Sequence, residues 1–238
     1  MKIILLGTGD AFSSDGRASM AILIDGEYKI LLDCSPQVIH SLRRIGYAPN
    51  QVQYLFVTHL HGDHAGGLPL LTLNLMHREK GKIQVSGPPG LAQFADTVYS
   101  SFYGIGSVSD VLEIRPLSNN YPFDFAFMEG VHARQNYMYK IVLDGKKIVY
   151  TGDTSKMDLN EFAYRADYLF HEAAELDEER AKKYGHTTPE QAAEVAREAD
   201  VRNLVLVHRP ALTNQQMSRV RDVFPNTLFP DDLDVLNP

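Results

Sequence analysis

The chain has 238 residues, enough for one substantial domain or two small ones with a full-sized core. Its 44% hydrophobic and 22% charged residues exclude a disordered or fibrous protein. A formal net charge of −7 argues against a broad basic surface for nucleic acid or an anionic membrane. The only cysteine is Cys34, which excludes an intramolecular disulfide, and the first apolar run ends at Gly7, too early for a signal peptide or a membrane span. We therefore expect a soluble, cytoplasmic protein.

The first third of the chain is predicted to consist mainly of strands. Apolar runs predict strands over 2–6, 20–24, 28–33 and 54–57. Val38, Ile39, Leu42 and Ile45 recur at helical spacing and predict a helix over 35–45. A polar run over 58–67 then leads into a helix over 68–78.

Strands and helices alternate through the rest of the chain. The predicted strands are 82–86, 111–115, 123–128, 137–143, 146–150, 168–170 and 204–207, and the predicted helices are 91–102, 189–199 and 214–223. Asp144-Gly145 is a strong hairpin signal between two of these strands. Since no linker or repeat interrupts the chain, we expect one α/β domain over residues 1–238, built from two stacked halves.

Potential metal ligands are concentrated directly after the strand over 54–57. Within six positions lie three histidines and one aspartate: His59, His61, Asp63 and His64. Neutral imidazole nitrogens and carboxylate oxygens are preferred ligands of Zn²⁺ and related divalent ions. A short loop can direct all four side chains to one place, so the segment predicts a metal site.

This His-x-His-x-Asp-His arrangement after a strand resembles the metal-binding motif of the metallo-β-lactamase superfamily. The resemblance implies a four-layer αββα sandwich and further ligands at strand ends, for which His132, Asp153 and His208 are the matching positions. It places His59, His61 and His132 on one ion, and Asp63, His64 and His208 on the other. Asp153 would lie between the two ions.

Two divalent ions close together lower the pKa of a shared water toward about 7, so the resemblance implies a hydrolase that uses a bridging hydroxide. Zinc is the expected metal, and Mn²⁺ or Fe²⁺ would use the same residues.

Three further segments resemble ribonuclease Z, the tRNA 3′-end phosphodiesterase. They are Leu6-Gly7-Thr8-Gly9-Asp10-Ala11, Ser86-Gly87-Pro88-Pro89-Gly90-Leu91, and His171-Glu172-Ala173-Ala174 together with Gly185-His186-Thr187-Thr188. In that family the Glu and His of the last two segments act together at the scissile phosphate. The resemblance therefore implies Glu172 and His186 as catalytic residues.

Two features of the residues themselves bear on the predicted catalytic roles. Thr188, Pro189 and Gln191 form a capping-box pattern, so His186 lies just before a helix N-terminus, where phosphate is favoured. Asp63 is a candidate acceptor of the attacking water's proton. His40 and His77 match no motif and are taken as structural, whereas Arg209 is a candidate partner for an anionic substrate.

The sequence differs from ribonuclease Z in a feature that affects which substrate it would bind. That family carries a long tRNA-gripping arm between its isolated histidine and its bridging aspartate. Here the interval from His132 to Asp153 is filled by two predicted strands and their turn. With the negative net charge, this favours a small phosphodiester, such as a cyclic nucleotide or a short oligonucleotide, over tRNA.

The same metal motif also serves hydrolases of other esters, thioesters or sulfate esters, so these remain alternatives. Two others are a tRNA 3′-end endonuclease and a non-catalytic metal-binding scaffold. Dimers are common in the related family, and we expect a homodimer without membrane attachment.

Overall fold

The first strand, β1 (Lys2–Gly7), is apolar on both faces, and its residues alternate between two cores. Ile3 and Leu5 point toward a second sheet, whereas Ile4 and Leu6 point toward helices. A strand whose side chains are buried on both faces belongs to a layered α/β structure. The computed structural model describes residues 1–104 and 107–238.

The first sheet has seven strands in the order β13-β1-β2-β3-β4-β5-β6. Strands β3 to β6 are parallel, and β1 is antiparallel to both of its neighbours. The remaining strands of this first sheet are β2 (Ala21–Asp25), β3 (Lys29–Leu32), β4 (Tyr54–Phe56), β5 (Ile83–Gly87), β6 (Leu112–Pro116) and β13 (Val235–Leu236).

The second sheet has six strands in the order β12-β11-β10-β9-β8-β7. Strands β9 to β12 are parallel, and β7, β8 and β9 form an antiparallel meander. They are β7 (Asp124–Glu129), β8 (Tyr137–Leu143), β9 (Lys146–Tyr150), β10 (Tyr168–Glu172), β11 (Leu204–Val207) and β12 (Thr227–Leu228).

Helices cover the outer face of each sheet. The helices are α1 (Val38–Arg44), α2 (Gly62–Ala65), α3 (Leu68–Asn74), α4 (Leu91–Tyr103), α5 (Glu178–Tyr184), α6 (Pro189–Glu198) and α7 (Asn214–Val223). Helices α1, α3 and α4 pack on the first sheet, and α6 and α7 pack on the second. Between the sheets lies an aromatic-rich core that includes Phe56, Tyr139 and Phe170. The expected four-layer αββα sandwich is therefore confirmed.

Several local predictions differ from the structure. The polar run over 58–67 contains the short helix α2, and the helix over 68–78 changes after Asn74 into a π-helical segment, Leu75–Glu79. Sequence periodicity missed α5, because this two-turn helix buries only Ala181 and so lacks an apolar stripe. It also missed the two-residue strands β12 and β13, which depend on their neighbours for pairing.

The topology brings one end of many strands to the same place. Strand β7 runs parallel to β9 because both are antiparallel to β8. The carboxyl ends of β7, β9, β10 and β11 therefore lie at one edge of the second sheet. The histidines that follow β4 in the first sheet lie against the same edge, where ligand sites of α/β sheets commonly lie. Among the described residues, no helix is long and apolar enough to cross a membrane.

Candidate metal centre

All seven predicted ligands follow strands that end at this common edge. His59, His61, Asp63 and His64 come after β4 and at the start of α2, while His132, Asp153 and His208 follow β7, β9 and β11. The structure places them in two groups that share Asp153, and within each group the potential ligand atoms lie within 4.8 Å of one another. The fold thus brings together residues separated by as many as 149 positions in the chain.

The first group consists of His59, His61, His132 and Asp153. The Nε2 atoms of His59 and His132 lie 3.0 and 3.3 Å from Nδ1 of His61. Those same Nε2 atoms lie 3.7 and 3.9 Å from Oδ2 of Asp153. Burial, together with the neighbouring imidazoles, lowers the pKa of His59 to about 2. A neutral imidazole keeps the lone pair that a metal ligand needs.

The second group consists of Asp63, His64, Asp153 and His208. Nε2 of His64 lies 3.2 Å from Oδ2 of Asp63 and 3.3 Å from Oδ1 of Asp153. His208 Nε2 lies 3.0 Å from the same Asp63 oxygen. Burial opposes ionisation of Asp63, but the hydrogen bond from His208 and the charges of His64 and His208 prevail and hold the pKa of Asp63 well below the usual range.

Unpaired polar atoms in the second group indicate that it fits a cation. Nε2 of His64, Oδ1 of Asp153 and Nδ1 of His208 are buried and have no hydrogen-bond partner among the residues that the structure describes. Such atoms are costly unless something coordinates them. Two carboxylates at one place, the buried Asp153 and the half-buried Asp63, also require positive charge nearby. A divalent ion held by these side chains would meet both requirements.

Two of the histidines are oriented as metal ligands usually are. Nδ1 of His64 donates to Oδ2 of Asp33 at 2.8 Å, and Nδ1 of His132 donates to the Gly185 carbonyl at 2.8 Å. Each bond fixes the tautomer and leaves Nε2 free to face the group. Support of this kind from a second layer of residues is typical of metal sites.

Asp33 is a functional residue that the sequence analysis missed. It is fully buried after β3, adopts a positive φ of 60°, and accepts hydrogen bonds from the Thr58 amide at 2.7 Å and the Tyr150 hydroxyl at 2.6 Å. Together with its bond to His64, these contacts connect three strand ends. The available signal was a carboxylate directly after an apolar strand, next to the strand that precedes the metal-binding loop.

Glu172 and His186 form a pair beside the two groups of candidate ligands. Nδ1 of His186 donates to Oε1 of Glu172 at 2.9 Å, and the buried Glu172 also accepts from the amides of Thr154 at 2.8 Å and Ala174 at 2.9 Å. Burial disfavours the charged imidazole, but the hydrogen bond and charge of Glu172 prevail and raise the pKa of His186 to about 9.

The location of this pair next to the ligands follows from helix α6. Thr188 and Gln191 form the predicted capping box, with Pro189 in the first turn, so the helix start fixes the loop that carries His186. The His186 ring lies 5.0 Å from that of His132 and 6.0 Å from that of His208, measured between centroids. His186 can therefore reach a group bound at the metal ligands.

The structure does not support Arg209 as a partner for an anionic substrate. Arg209, expected to be free for an anionic substrate, is only 5% exposed, and its guanidinium donates to the carbonyls of Pro210 and Pro230. That interpretation was wrong, because the C-terminal segment folds over the side chain. His40 and His77 lie exposed on helical segments, away from the ligand groups.

Comparisons with known proteins identify relatives of this chain. A family model described as "Anti-Pycsar protein Apyc1" matches residues 1–219. Ribonuclease Z of Haloferax volcanii is 31% identical over 96% of this chain and 92% of its own length. Ribonuclease Z of Metallosphaera sedula is 29% identical over 100% of this chain and 99% of its own length.

Two solved structures share the fold over the whole chain. Human tRNase Z, short form, has a TM-score of 0.81 and 25% identity, covering 100% of this chain and 99% of its own. The metallo-β-lactamase fold protein YhfI of Bacillus subtilis has a TM-score of 0.82 and 21% identity, covering 99% of each chain. With the family match and the ribonuclease Z similarity, these likenesses show that the chain belongs to the family of Anti-Pycsar protein Apyc1, within the ribonuclease Z-like branch of the metallo-β-lactamase fold.

Proposed function

We propose that this protein is a metal-dependent phosphodiesterase acting on small phosphodiesters, such as a cyclic nucleotide or a short oligonucleotide. One observation carries the proposal: a histidine with a raised pKa, His186, stands beside two groups of metal ligands. A protonated imidazole can neutralise a phosphodiester and donate a proton to its leaving oxygen. The relatives named ribonuclease Z support the same class of reaction.

The ligand groups would hold two divalent ions, with zinc as the metal that the donor set favours. His59, His61 and His132 would bind one ion, Asp63, His64 and His208 the other, and Asp153 both. Ions bound there would supply a nucleophile at neutral pH by lowering the pKa of a water. Asp63, whose side chain is 12% exposed, is placed to accept a proton from the attacking water.

His186 and Glu172 would act on the leaving group. Because Nδ1 of His186 donates to Glu172, the Nε2 proton is the one available to the substrate. Glu172 holds the ring in this orientation and keeps it charged, while its own oxygens are fixed by backbone amides. Glu172 therefore positions the acid, and His186 transfers the proton.

The preference for a small substrate is supported by two features. Strands β8 and β9 and their tight turn occupy the interval from His132 to Asp153, which leaves no chain for a protruding arm. The alignment with the Haloferax ribonuclease Z spans 294 positions against the 238 residues of this chain, so the relative carries insertions that are absent here. The net charge of −7 also disfavours a large polyanion such as tRNA.

The test is hydrolysis of bis(p-nitrophenyl) phosphate by the metal-stripped protein during titration with Zn²⁺ or Mn²⁺. Turnover should rise to a plateau near two ions per chain, and cyclic nucleotides should be better substrates than precursor tRNA. Two bound ions without turnover of any phosphodiester would contradict the assigned reaction. Faster cleavage of precursor tRNA would contradict only the substrate size.

We also propose that the protein works as a single domain in a homodimer. The core between the sheets is shared by both halves of the chain, so neither half would be stable alone.

Phe102 and Tyr103 on α4 and Leu70 on the adjacent α3 are exposed, and a second copy would cover them. Light scattering should give twice the chain mass; a monomer at micromolar concentration would contradict the dimer.

A further inference from the structure

We propose that a cavity at the edge opposite to the metal ligands binds a small amphiphilic anion, a molecule with an apolar body and a negatively charged head group. The proposal concerns a separate place in the molecule and does not depend on the proposed phosphodiesterase function. The cavity has a volume of about 620 Å³, within the usual range for small-ligand sites. Its lining comes from the π-helical segment Leu75–Glu79 and the residues after it, from α4, and from the residues directly before β6.

The direction of the strands separates this cavity from the metal ligands. Strand β5 is parallel to β4 on one side and to β6 on the other. The first ligands follow the carboxyl end of β4, whereas Lys82 and Val111 in the cavity directly precede the amino ends of β5 and β6. The five residues of β5 span about 16 Å between the two edges. The cavity would therefore hold a second ligand, distinct from the substrate at the metal centre.

The inner part of the cavity is apolar. Leu75, Tyr99 and Val111 are buried side chains that line it. The Tyr99 hydroxyl donates to the thioether sulfur of Met76 at 3.2 Å, and a thioether is a weak acceptor. This hydroxyl can therefore turn to a better acceptor on a ligand at little cost. The inner surface fits a hydrocarbon or aromatic body that makes one polar contact.

The rim of the cavity carries positive charge that the protein does not neutralise. Lys80 and Lys82 line the cavity and are exposed, and in the part of the chain that the structure describes neither ammonium lies within ion-pair distance of a carboxylate. Glu79, next to Lys80 in the chain, is instead paired with Arg43 of α1. Asp110 is the single acid among the described lining residues, so the two lysines leave an excess of positive charge.

The backbone that presents these lysines is held in a costly conformation. A π-helical segment is uncommon and occurs frequently at functional sites. Lys80 follows this segment with a φ of 48° and a ψ of 101°, where glycine is favoured over other residues. The Glu79 carbonyl accepts from Asn50 Nδ2 at 2.9 Å, so a neighbouring segment holds the turn. Strain that is maintained by other parts of the fold is typical of ligand-binding positions and supports a role for this rim.

Shape and charge together select the class of ligand. A simple anion such as phosphate would leave the apolar surface of Tyr99 and Val111 in contact with water. An uncharged apolar molecule would make no use of the two lysines. An amphiphilic anion satisfies both parts of the cavity, with its body on the buried side chains and its head group at Lys80 and Lys82.

The experiment measures binding of two matched dyes by fluorescence. Anilinonaphthalene sulfonate is an amphiphilic anion that fluoresces in apolar sites, and phenylnaphthylamine is the same ring system without the sulfonate. The sulfonate should bind saturably at one site per chain. Lys80→Glu and Lys82→Glu should each raise its Kd about fivefold or more and leave the Kd of phenylnaphthylamine unchanged.

Arg78→Glu is the matched control for these variants. Arg78 is exposed and adjacent in the chain but lies outside the lining, and the substitution makes the same change of net charge. It should leave the Kd of both dyes unchanged. Thermal unfolding would verify that all three variants, which change exposed side chains, are folded.

Three results would overturn the proposed site. One is the absence of saturable binding of the sulfonate, and another is an unchanged Kd in both lysine variants. The third is an equal loss of affinity in Arg78→Glu, because the dye would then respond to overall charge and not to the cavity. Bis(p-nitrophenyl) phosphate should not displace the dye, since displacement would place the dye at the metal-ligand edge and also contradict the proposal.

Discussion

His59 and His186 lie at the same edge of the two sheets, yet their surroundings shift their pKa values in opposite directions. Burial and the neighbouring imidazoles lower the pKa of His59 to about 2, whereas Glu172 raises that of His186 to about 9 in spite of burial. The difference is the bonded carboxylate: His186 donates to one, and His59 instead contacts the Thr58 hydroxyl at 3.0 Å. One imidazole is suited to bind a metal, the other to donate a proton.

The largest expected effect comes from removing the carboxylate that both ligand groups share. Asp153→Ala should reduce phosphodiester hydrolysis at least about 10³-fold, because the substitution affects both ions that supply nucleophile and charge. Mass spectrometry of metal content should show fewer than two ions per chain. Asp222→Ala, at an exposed position of α7, is the matched control and should retain both ions and activity. Full activity of the Asp153 variant would refute the shared-ligand role.

Removing the proton donor should affect the reaction without affecting metal binding. His186→Ala is expected to lower kcat about 10²- to 10⁴-fold, the usual contribution of an acid or base catalyst, with two ions still bound. His77→Ala, an exposed histidine on a helical segment, should behave like the unmodified enzyme. If His186→Ala instead lost an ion, the residue would be a ligand together with Glu172 and His208, whose atoms lie within reach.

A smaller effect is expected from the residue that supports the ligands. Asp33→Asn keeps the shape but weakens acceptance of the His64 Nδ1 proton, so affinity for the second ion should fall about 10- to 100-fold. Competition with a calibrated chelator measures this affinity. Circular dichroism would check that the variant folds, because Asp33 also accepts from Thr58 and Tyr150. Unchanged affinity in a folded variant would argue against this supporting role.

The mildest change tests the pKa of His186 itself. A group with a raised pKa stays protonated until the pH rises through that value, so kcat should fall only on the alkaline side of the ordinary histidine pKa. In Glu172→Gln the negative partner is lost, and this alkaline limb should move toward the ordinary histidine value of about 6.5. A pH profile of kcat with metals saturating measures the shift. An alkaline limb at the same pH in both proteins would assign it to another group.

The candidate ligands were easier to recognise in the sequence than the residues that hold them in place. Imidazole nitrogens and carboxylate oxygens are common metal ligands, and four such side chains stand together in one loop, so the signal is local. His132, Asp153 and His208 are isolated residues at strand ends. They were predicted as ligands only through the family resemblance. Asp33 has no such local signal, since its importance arises from neighbours 25 and 117 positions away in the chain.

The sequence by itself therefore determined which chemical groups are available: the alternation of strands and helices, the donor atoms, the capped helix after His186 and the short interval from His132 to Asp153. The tertiary structure decided which of these groups meet. Parallel strands bring their carboxyl ends to one edge, and only there do Glu172 and His186 become a pair and Arg209 become buried. Contacts between distant segments depend on packing and strand register, which no local pattern specifies.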